Sequence, residues 1–502
     1  MSRKCVCLWA GFIAAQCVIA PDVASAQAVT AITGGTLIDG NGGAPVADAV
    51  VVVTGSRIAA VGPRASVHVP DGATVIDAKG RYVVPGFIDT NAHLSAYGGH
   101  ETLVRYYTRE RDIVIEGAQL ELKHGVTTIP DSYGMLIPLT EARDMIAHGD
   151  ATGARILAAG NIVGWGGPFS ITFGMTPQKD LTLFQDQMND ALAQGAGEEL
   201  FNMTPEELRD AINKYLDKRP DFLKYGGTSH WGQPTFIGFS PEAQKVMVDE
   251  AHKRGLVAET HSTTIEGLRM SILAGIDLIQ HPEVLTPRSM PEDLISMIRE
   301  RKIIGSMLSN TYTGEAWTKH LKTKGEALKK IEESEKKTGK RILTFGEQRR
   351  RDADLETGLE VRRQNAQKLI QSGCLITVGT DTYWGDAPEF RREAKPDNQN
   401  HGIGSIIGIE GLVELGMTPA QAIVAATKNG AIACRRLKDF GTLEANKLAD
   451  LVILDADPLA DIHNIRKVRS VMKEGRVFDP ATLPERRVLS RPREHSPMTE
   501  RQ

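Results

Sequence analysis

Val84-Pro85-Gly86-Phe87-Ile88-Asp89-Thr90-Asn91-Ala92-His93 opens the central part of this chain. A short apolar run of strand type ends there in a polar cluster, Asp89 to His93. Asn91 and His93 are two residues apart, so in an extended chain both side chains leave on the same side. Downstream the pattern recurs. Runs of β type at 125–131, 155–160, 221–226, 256–261, 276–281, 303–308 and 375–381 alternate with longer helix-type stretches such as 241–254 and 266–274. With 86–93 they make eight strands in βα order, the number a TIM barrel needs. The spacing therefore predicts an α/β chain built on a (β/α)8 TIM barrel.

The flanks have a different texture. Ala49-Val50-Val51-Val52-Val53 precedes the turn signal Gly55-Ser56, and Ile58-Ala59-Ala60-Val61-Gly62 follows it. Ala449-Asp450-Leu451-Val452-Ile453-Leu454, then 468–472 and 475–478, repeat that style at the other end. These two ends are expected to form one small β-sandwich domain, 27–84 with 437–480, beside a catalytic domain at 85–436. Past Ala481 the chain turns polar and rich in Arg, Glu and Pro, so 481–502 is expected to be a poorly ordered tail. Two connections are long. Residues 161–203 carry Gly164-Trp165-Gly166-Gly167-Pro168-Phe169 and read as a loop over a site. Residues 311–363 are charged and helical in composition; the run 329–341 reads as a solvated helix face, with a lid or subunit contact as the other reading.

The bulk numbers narrow the class. The 502 residues are 41% hydrophobic, ample for a sizeable core. The net charge is −4 and no Lys/Arg block stands out, which argues against a nucleic-acid partner. Arg3 and Lys4 precede a run of apolar and small residues over 5–20, in which Gln16 is the one strongly polar residue, and Ala24-Ser25-Ala26 supplies a small-x-small cleavage pattern. Residues 1–26 thus read as a signal peptide, with export to the periplasm or the medium and no membrane contact after cleavage. A membrane anchor would need about 20 apolar residues, more than this run has. Cys5, Cys7 and Cys17 leave with the leader. Cys374 and Cys434 remain, read as buried thiols, and are too few for a disulfide framework or zinc ribbon.

A barrel presents its reactive side chains at the C-terminal ends of its strands. Those ends carry Asn91 and His93, Lys224, His261, His281 and Asp381. A lone histidine is more often structural than a ligand, but this grouping recurs strand after strand. Imidazole, carboxylate and amide groups are the N and O donors that Zn²⁺ or a similar first-row ion accepts. Around them stand candidate substrate contacts: Trp165 and Phe169 in the Gly-rich connection, Tyr225 beside Lys224, His230 and Trp231 after the fourth strand, and Trp384 after Asp381. In a chain only 5% aromatic they suggest a pocket with aromatic walls, ordinary loop packing being the alternative.

The chain resembles the amidohydrolase superfamily, in its imidazolonepropionase/prolidase-like branch. The resemblance is carried by Gly35-Thr36-Leu37-Ile38-Asp39-Gly40, by Val84-Pro85-Gly86-Phe87-Ile88-Asp89 and by Gly125-Val126-Thr127-Thr128. It continues through Ala274-Gly275-Ile276-Asp277 with Gln280-His281, Gly379-Thr380-Asp381, and Gly441-Thr442-Leu443 running on to Ala449-Asp450-Leu451-Val452. It spans nearly the whole mature chain. It implies His93 as a ligand of a buried metal, Lys224 where many members carry a carboxylated lysine bridging two metals, and His261 and His281 as ligands of a second metal. Asp381 would be both ligand and proton shuttle. A protonated amine cannot ligate, whereas its adduct with CO₂ is an anionic oxygen donor; the other reading of Lys224 is a buried ion pair.

One departure matters. The family pattern at the first strand is His-x-His, and here it is Asn91-Ala92-His93. An amide oxygen is a weaker ligand than imidazole, so the buried metal is held loosely, or one ion suffices, or Asn91 turns away to hydrogen-bond. The Asn-x-His variant is similar to a subgroup that includes phenylurea and molinate hydrolases. The resemblance implies one or two divalent ions, zinc foremost, with cobalt, manganese or iron suited to the same ligands.

The expected function is therefore a metal-dependent hydrolase that cleaves an amide-like C–N bond of a small molecule with an aryl or apolar group. A bound cation lowers the pKa of its water to about 7, and Asp381 shuttles the water's proton to the departing amine. A deaminase of the same superfamily is disfavoured, because Thr264 stands where those enzymes carry a Glu, three residues past His261. An Xaa-Pro dipeptidase, a lactonase or esterase, and a non-catalytic binding protein are the remaining alternatives. Homo-oligomers are common in the family.

Overall fold

The computed structural model describes residues 28–95, 98–174, 176–230, 235–285, 288–338 and 358–491. The leader 1–26, the helix-type residues 339–357 and the last eleven residues of the expected tail lie outside them. Among the described residues no helix is long and apolar enough to cross a membrane.

The N-terminal flank supplies β1 (Val29–Leu37), β2 (Val46–Thr54), β3 (Arg57–Pro63), β4 (Thr74–Asp77) and β5 (Tyr82–Pro85). The middle supplies β6 (Phe87–Ile88), β7 (Val126–Asp131), β8 (Arg155–Ala158), β9 (Leu223–Gly226), β10 (Ala258–His261), β11 (Leu278–Gln280), β12 (Ile304–Met307) and β13 (Leu375–Val378). The C-terminal flank supplies β14 (Leu451–Leu454), β15 (Val468–Lys473) and β16 (Arg476–Phe478).

All eight middle strands fall inside the stretches predicted from sequence. They run parallel in two sheets, β6-β7-β8 and β13-β12-β11-β10-β9. Backbone hydrogen bonds bridge both gaps between these sheets. Val163 N–H donates to Lys224 O (2.8 Å) and Gly226 N–H to Val163 O (3.0 Å) on one side; Thr90 N–H donates to Val378 O (2.8 Å) and His93 N–H to Thr382 O (2.9 Å) on the other. The fold is thus mixed α/β, of TIM-barrel type in its strand order. The strands are buried along almost their whole length, which is why they read as apolar runs rather than as alternations.

Both chain ends meet in one eight-stranded sheet of order β16-β15-β14-β5-β1-β2-β3, with β4 paired to β1. Gly55, at φ +56°, makes the two-residue turn from β2 to β3, whose Thr54 and Arg57 are partners. The two ends join where β5 lies antiparallel to β14, Val84 opposite Val452. Arg155, at the start of β8, ties this sheet to the parallel strands. Its guanidinium reaches Asp450 Oδ2 (2.8 Å), Glu474 Oε1 (2.6 Å) and Thr128 Oγ1 (2.8 Å).

Three expectations need correction. The connection 161–203 is not all loop: Thr182 and Gln185 form a reciprocal capping box that starts a helix at Leu183–Ala193. Cys374 is buried, but Cys434 is only partly so. The tail is docked as far as Arg491, because Val488 and Leu489 bury themselves against Leu103, Tyr106 and Ile113. Glu116, on the helix Glu110–Lys123, accepts Leu489 N–H (2.7 Å), Ser490 N–H (3.0 Å) and Ser490 Oγ–H (2.6 Å). Glu116→Ala leaves these donors without their acceptor, and we expect a loss of about 1–3 kcal/mol. A lowered urea midpoint would register it; an unchanged midpoint would mean the tail adds nothing to stability. The described parts of the other long connection are helical as their composition predicts, at Gly314–Thr338 and Gly358–Gln371.

Candidate active site

The C-terminal ends of the parallel strands open onto a cavity of about 360 Å³. His93, Lys224, His261, His281 and Asp381 face it. His261 is the last residue of β10, and Lys224 lies within β9. His281 and Asp381 stand just beyond their strands, in the left-handed backbone region at φ +43° and +56°. For residues with a Cβ this conformation is uncommon and strained, and such strain gathers at functional sites. Neighbouring strands hold it in place: His281 N–H donates to Ser306 O and Asp381 N–H to Asn91 O, both at 2.7 Å.

His93 Nε2 lies 2.7 Å from Asp381 Oδ1. The rings of His261 and His281 meet edge to face, 4.5 Å between centroids. Burial, reinforced by the neighbouring His281 and His230, holds His261 well below the usual histidine range. Burial also takes His281 down to about 3, against the pull of Asp381. Burial works to raise Asp381, but the hydrogen bond with His93 and the Lys224 charge outweigh it and hold the carboxyl well below its ordinary value. Lys224 is lowered by burial, opposed by Glu259, Asp381 and Asp131.

By chemistry this set suits a divalent cation. Three imidazoles and a carboxylate share one cavity, and His261 and His281 are held neutral, the form that ligates. Lys224 suits it only once it has lost its proton. Among the described residues no three His, Cys, Asp or Glu side chains converge at ligand spacing.

Asn91 is not in the cavity wall. It lies fully buried behind it, where its Oδ1 accepts from Ser132 Oγ (2.5 Å) and its Nδ2 approaches Asp381 Oδ1 (3.4 Å). Of the aromatic candidates, Trp165 and His230 line the cavity. Tyr225 does not: adjacent strand residues point to opposite faces, so with Lys224 inward Tyr225 packs outward and bonds Gln244 Oε1 (3.1 Å). Trp384 is buried beside the site, donating to Leu94 O (2.9 Å) and packing on His401. Phe169 packs near His100 instead of lining the cavity. Trp231 lies outside the described residues.

The wall is completed by Ile162 and three aromatic residues the sequence reading missed: Tyr133, Phe173 and Tyr383. Phe173 is stacked between His230 (4.3 Å, 10°) and Tyr133 (5.6 Å, 22°), with Trp165 edge-on to all three. Tyr133 and Tyr383 lie just past the ends of β7 and β13, where alternation along the strand no longer assigns a side, so only their nearness to the strand ends could have marked them.

The profile of the amidohydrolase family matches residues 82–478. A solved molinate hydrolase superposes with a TM-score of 0.80 at 32% identity, covering 94% of this chain and 99% of that one. Phenylurea hydrolase B gives 0.80 at 31% identity, covering 92% and 100%. Ochratoxinase of Aspergillus niger is 26% identical over 423 residues, 81% of this chain and 76% of that protein.

Proposed function

This chain belongs to the amidohydrolase family of enzymes, and from that premise we propose that it hydrolyses an amide-like C–N bond, in an amide, urea or carbamate, of a small molecule bearing an aryl or apolar group. The observation that carries the reading is a single cavity in which Asp381, bonded to His93, stands among aromatic walls. The likeness to a molinate hydrolase and a phenylurea hydrolase supports the bond type.

The chemistry of this chain's own residues follows. Asp381 is ionised at neutral pH, so its carboxylate accepts a proton from the attacking water and returns it to the nitrogen of the departing amine, which leaves poorly unless protonated. His93 fixes the direction in which Oδ1 faces. Trp165, Phe173 and His230 exclude water and receive a flat apolar group. His93, His261, His281 and Asp381 would hold a divalent cation, zinc foremost, which when bound acidifies water and polarises a carbonyl. Deprotonated Lys224 Nζ is open to CO₂, with a proton released and a carbamate formed, and that exchange would replace a cation by an anionic donor.

We further read the parallel strands as a closed (β/α)8 barrel over 85–436. Residues 27–84 and 437–480 make the composite β-sandwich, and 1–26 a cleaved signal peptide that directs the enzyme to the periplasm or the medium.

The test is elemental analysis of the purified protein, with hydrolysis of an N-acyl arylamine, a phenylurea, an Xaa-Pro dipeptide and an aryl ester before and after chelation. We expect bound metal and cleavage of the arylamide or urea that chelation abolishes. A protein without metal that gains no activity on reconstitution would overturn the proposal, and preferential cleavage of the dipeptide would replace it with a peptidase.

A further inference from the structure

A hydrogen-bonded chain runs behind the cavity. Lys224 Nζ donates to Ser132 Oγ (3.1 Å), Ser132 Oγ donates to Asn91 Oδ1 (2.5 Å), and Asn91 Nδ2 faces Asp381 Oδ1 (3.4 Å). Asn91 and Ser132 are both 0% exposed. Neither lines the cavity, so neither is placed to touch a substrate.

The donor inventory of each atom gives the chain its direction. An ionised carboxylate only accepts, so Asn91 must present its NH₂ to Asp381 and turn its oxygen away. The two ends of an amide are nearly the same shape, so packing alone cannot choose between them. Ser132 makes the choice. Its single proton goes to Asn91 Oδ1, so toward Lys224 the hydroxyl offers only lone pairs, and an Nζ–H meets them as donor whether the amine is charged or neutral. Reversing the amide would set oxygen against carboxylate at one end and remove the acceptor of the serine proton at the other. In a dry interior an unmet polar group is heavily penalised, so one orientation prevails.

Ser132 is itself pinned. The preceding Asp131, at the end of β7, accepts Leu94 N–H (2.6 Å) and Tyr133 N–H (3.2 Å), which locks the β7 end against the chain that follows His93. Asn91 also grips Asp381 through the backbone, its carbonyl accepting Asp381 N–H (2.7 Å) and Thr380 N–H (3.1 Å).

We infer that Ser132 is a positioning residue: it sets the orientation of the Asn91 amide, and through it the direction in which Asp381 presents its carboxylate, while holding the Lys224 amine on the same hydroxyl. On this account the Asn91 oxygen is committed to Ser132, and the Asn-x-His departure supplies an orienting donor in place of a ligand. The inference rests on the reading of Asp381 as proton shuttle and metal ligand.

The test compares Ser132→Ala, Ser132→Thr and Asn91→Leu with the parent. The first readout is a Co²⁺ titration of metal-stripped protein; the second is kcat and KM on whichever arylamide or urea the parent cleaves. Ser132→Ala is expected to weaken Co²⁺ binding or lower kcat by about 10–100-fold, with KM within about twofold of the parent. Ser132→Thr, which keeps the hydroxyl, is expected to restore both. Asn91→Leu breaks the next link, so it serves if the alanine variant does not fold, and it should show the same split. Parent-like Co²⁺ affinity and kcat in the folded Ala or Leu variant would overturn the inference, as would a threonine variant no better than alanine. A parent that neither binds Co²⁺ nor cleaves any of the four substrates would instead defeat the function proposed above.

Discussion

Asp381→Asn is expected to lower kcat by about 10²–10⁴-fold, the usual contribution of a positioned proton-transfer group. The substitution is nearly isosteric. Asparagine tolerates the left-handed backbone that residue 381 adopts at φ +56°, so the fold has no reason to change. What disappears is the proton acceptor. An amide cannot take a proton from water at neutral pH, and it cannot return one to an amine. The Asn91 NH₂ and His93 would then face an amide in place of a carboxylate. KM should move far less than kcat, because the aromatic walls that receive the substrate are untouched. Steady-state kinetics on an arylamide or urea, with a melting curve to confirm folding, decide the matter. A kcat within tenfold of the parent would remove Asp381 from the proton path.

Arg155→Met is expected to destabilise the protein by about 3–5 kcal/mol, the range for breaking a buried ion pair from one side. The arginine side chain is 13% exposed and its partner Asp450 only 3%. Burial works against the guanidinium charge, yet Asp450 and Glu474 more than compensate and hold its pKa above the ordinary arginine value. Methionine keeps much of the volume but strands the Asp450 carboxylate without its cation. A urea midpoint well below the parent's is the expected sign, and a parent-like midpoint would show that the clamp is dispensable. The pH dependence has a definite sign. Burial tends to raise Glu474, but Arg155 and Lys473 prevail and depress it. The Arg155–Glu474 contribution is therefore complete above the ordinary glutamate pKa and fades as pH falls through the depressed folded value. The gap between parent and Arg155→Met should narrow in acid.

The parallel strands were legible because each is a short apolar run bounded by turns, and burial on both faces removes the polar alternation that would have confused the pattern. Their polar ends were legible for the same reason: His93, His261 and His281 interrupt apolar stretches where a core has no use for them. Facing was harder. Trp384 is the tryptophan that follows Asp381, yet Tyr383 is the residue that reaches the cavity; both lie past the end of β13, where strand alternation no longer assigns a side. Nearness to Lys224 suggests Tyr225 as a contact, but that same adjacency turns it outward to Gln244. The helix Leu183–Ala193 was hidden by the glycine-rich stretch before it, yet Thr182 and Gln185 spell its capping box. The docked tail was obscured by its arginines; Val488 and Leu489 were the only hint. No local signal could have marked Ser132, since its role depends on bringing Lys224, 92 positions away, to its hydroxyl.

The sheet built from both ends of the chain also sets a timetable for synthesis. Tyr82 finds its antiparallel partner in Leu454, about 370 residues later. At about 5–20 residues per second a ribosome needs roughly 20–70 s to bridge that gap. Throughout that interval the edge of β5 that β14 will cover has no mate in the nascent chain. The last strands delivered are the ones that seal the first, so a polypeptide truncated before β14 keeps an exposed edge open to pairing with another copy. Closure of the first-made sheet therefore waits on the last-made strands, and loss of the C-terminal end would be felt at the N-terminal one.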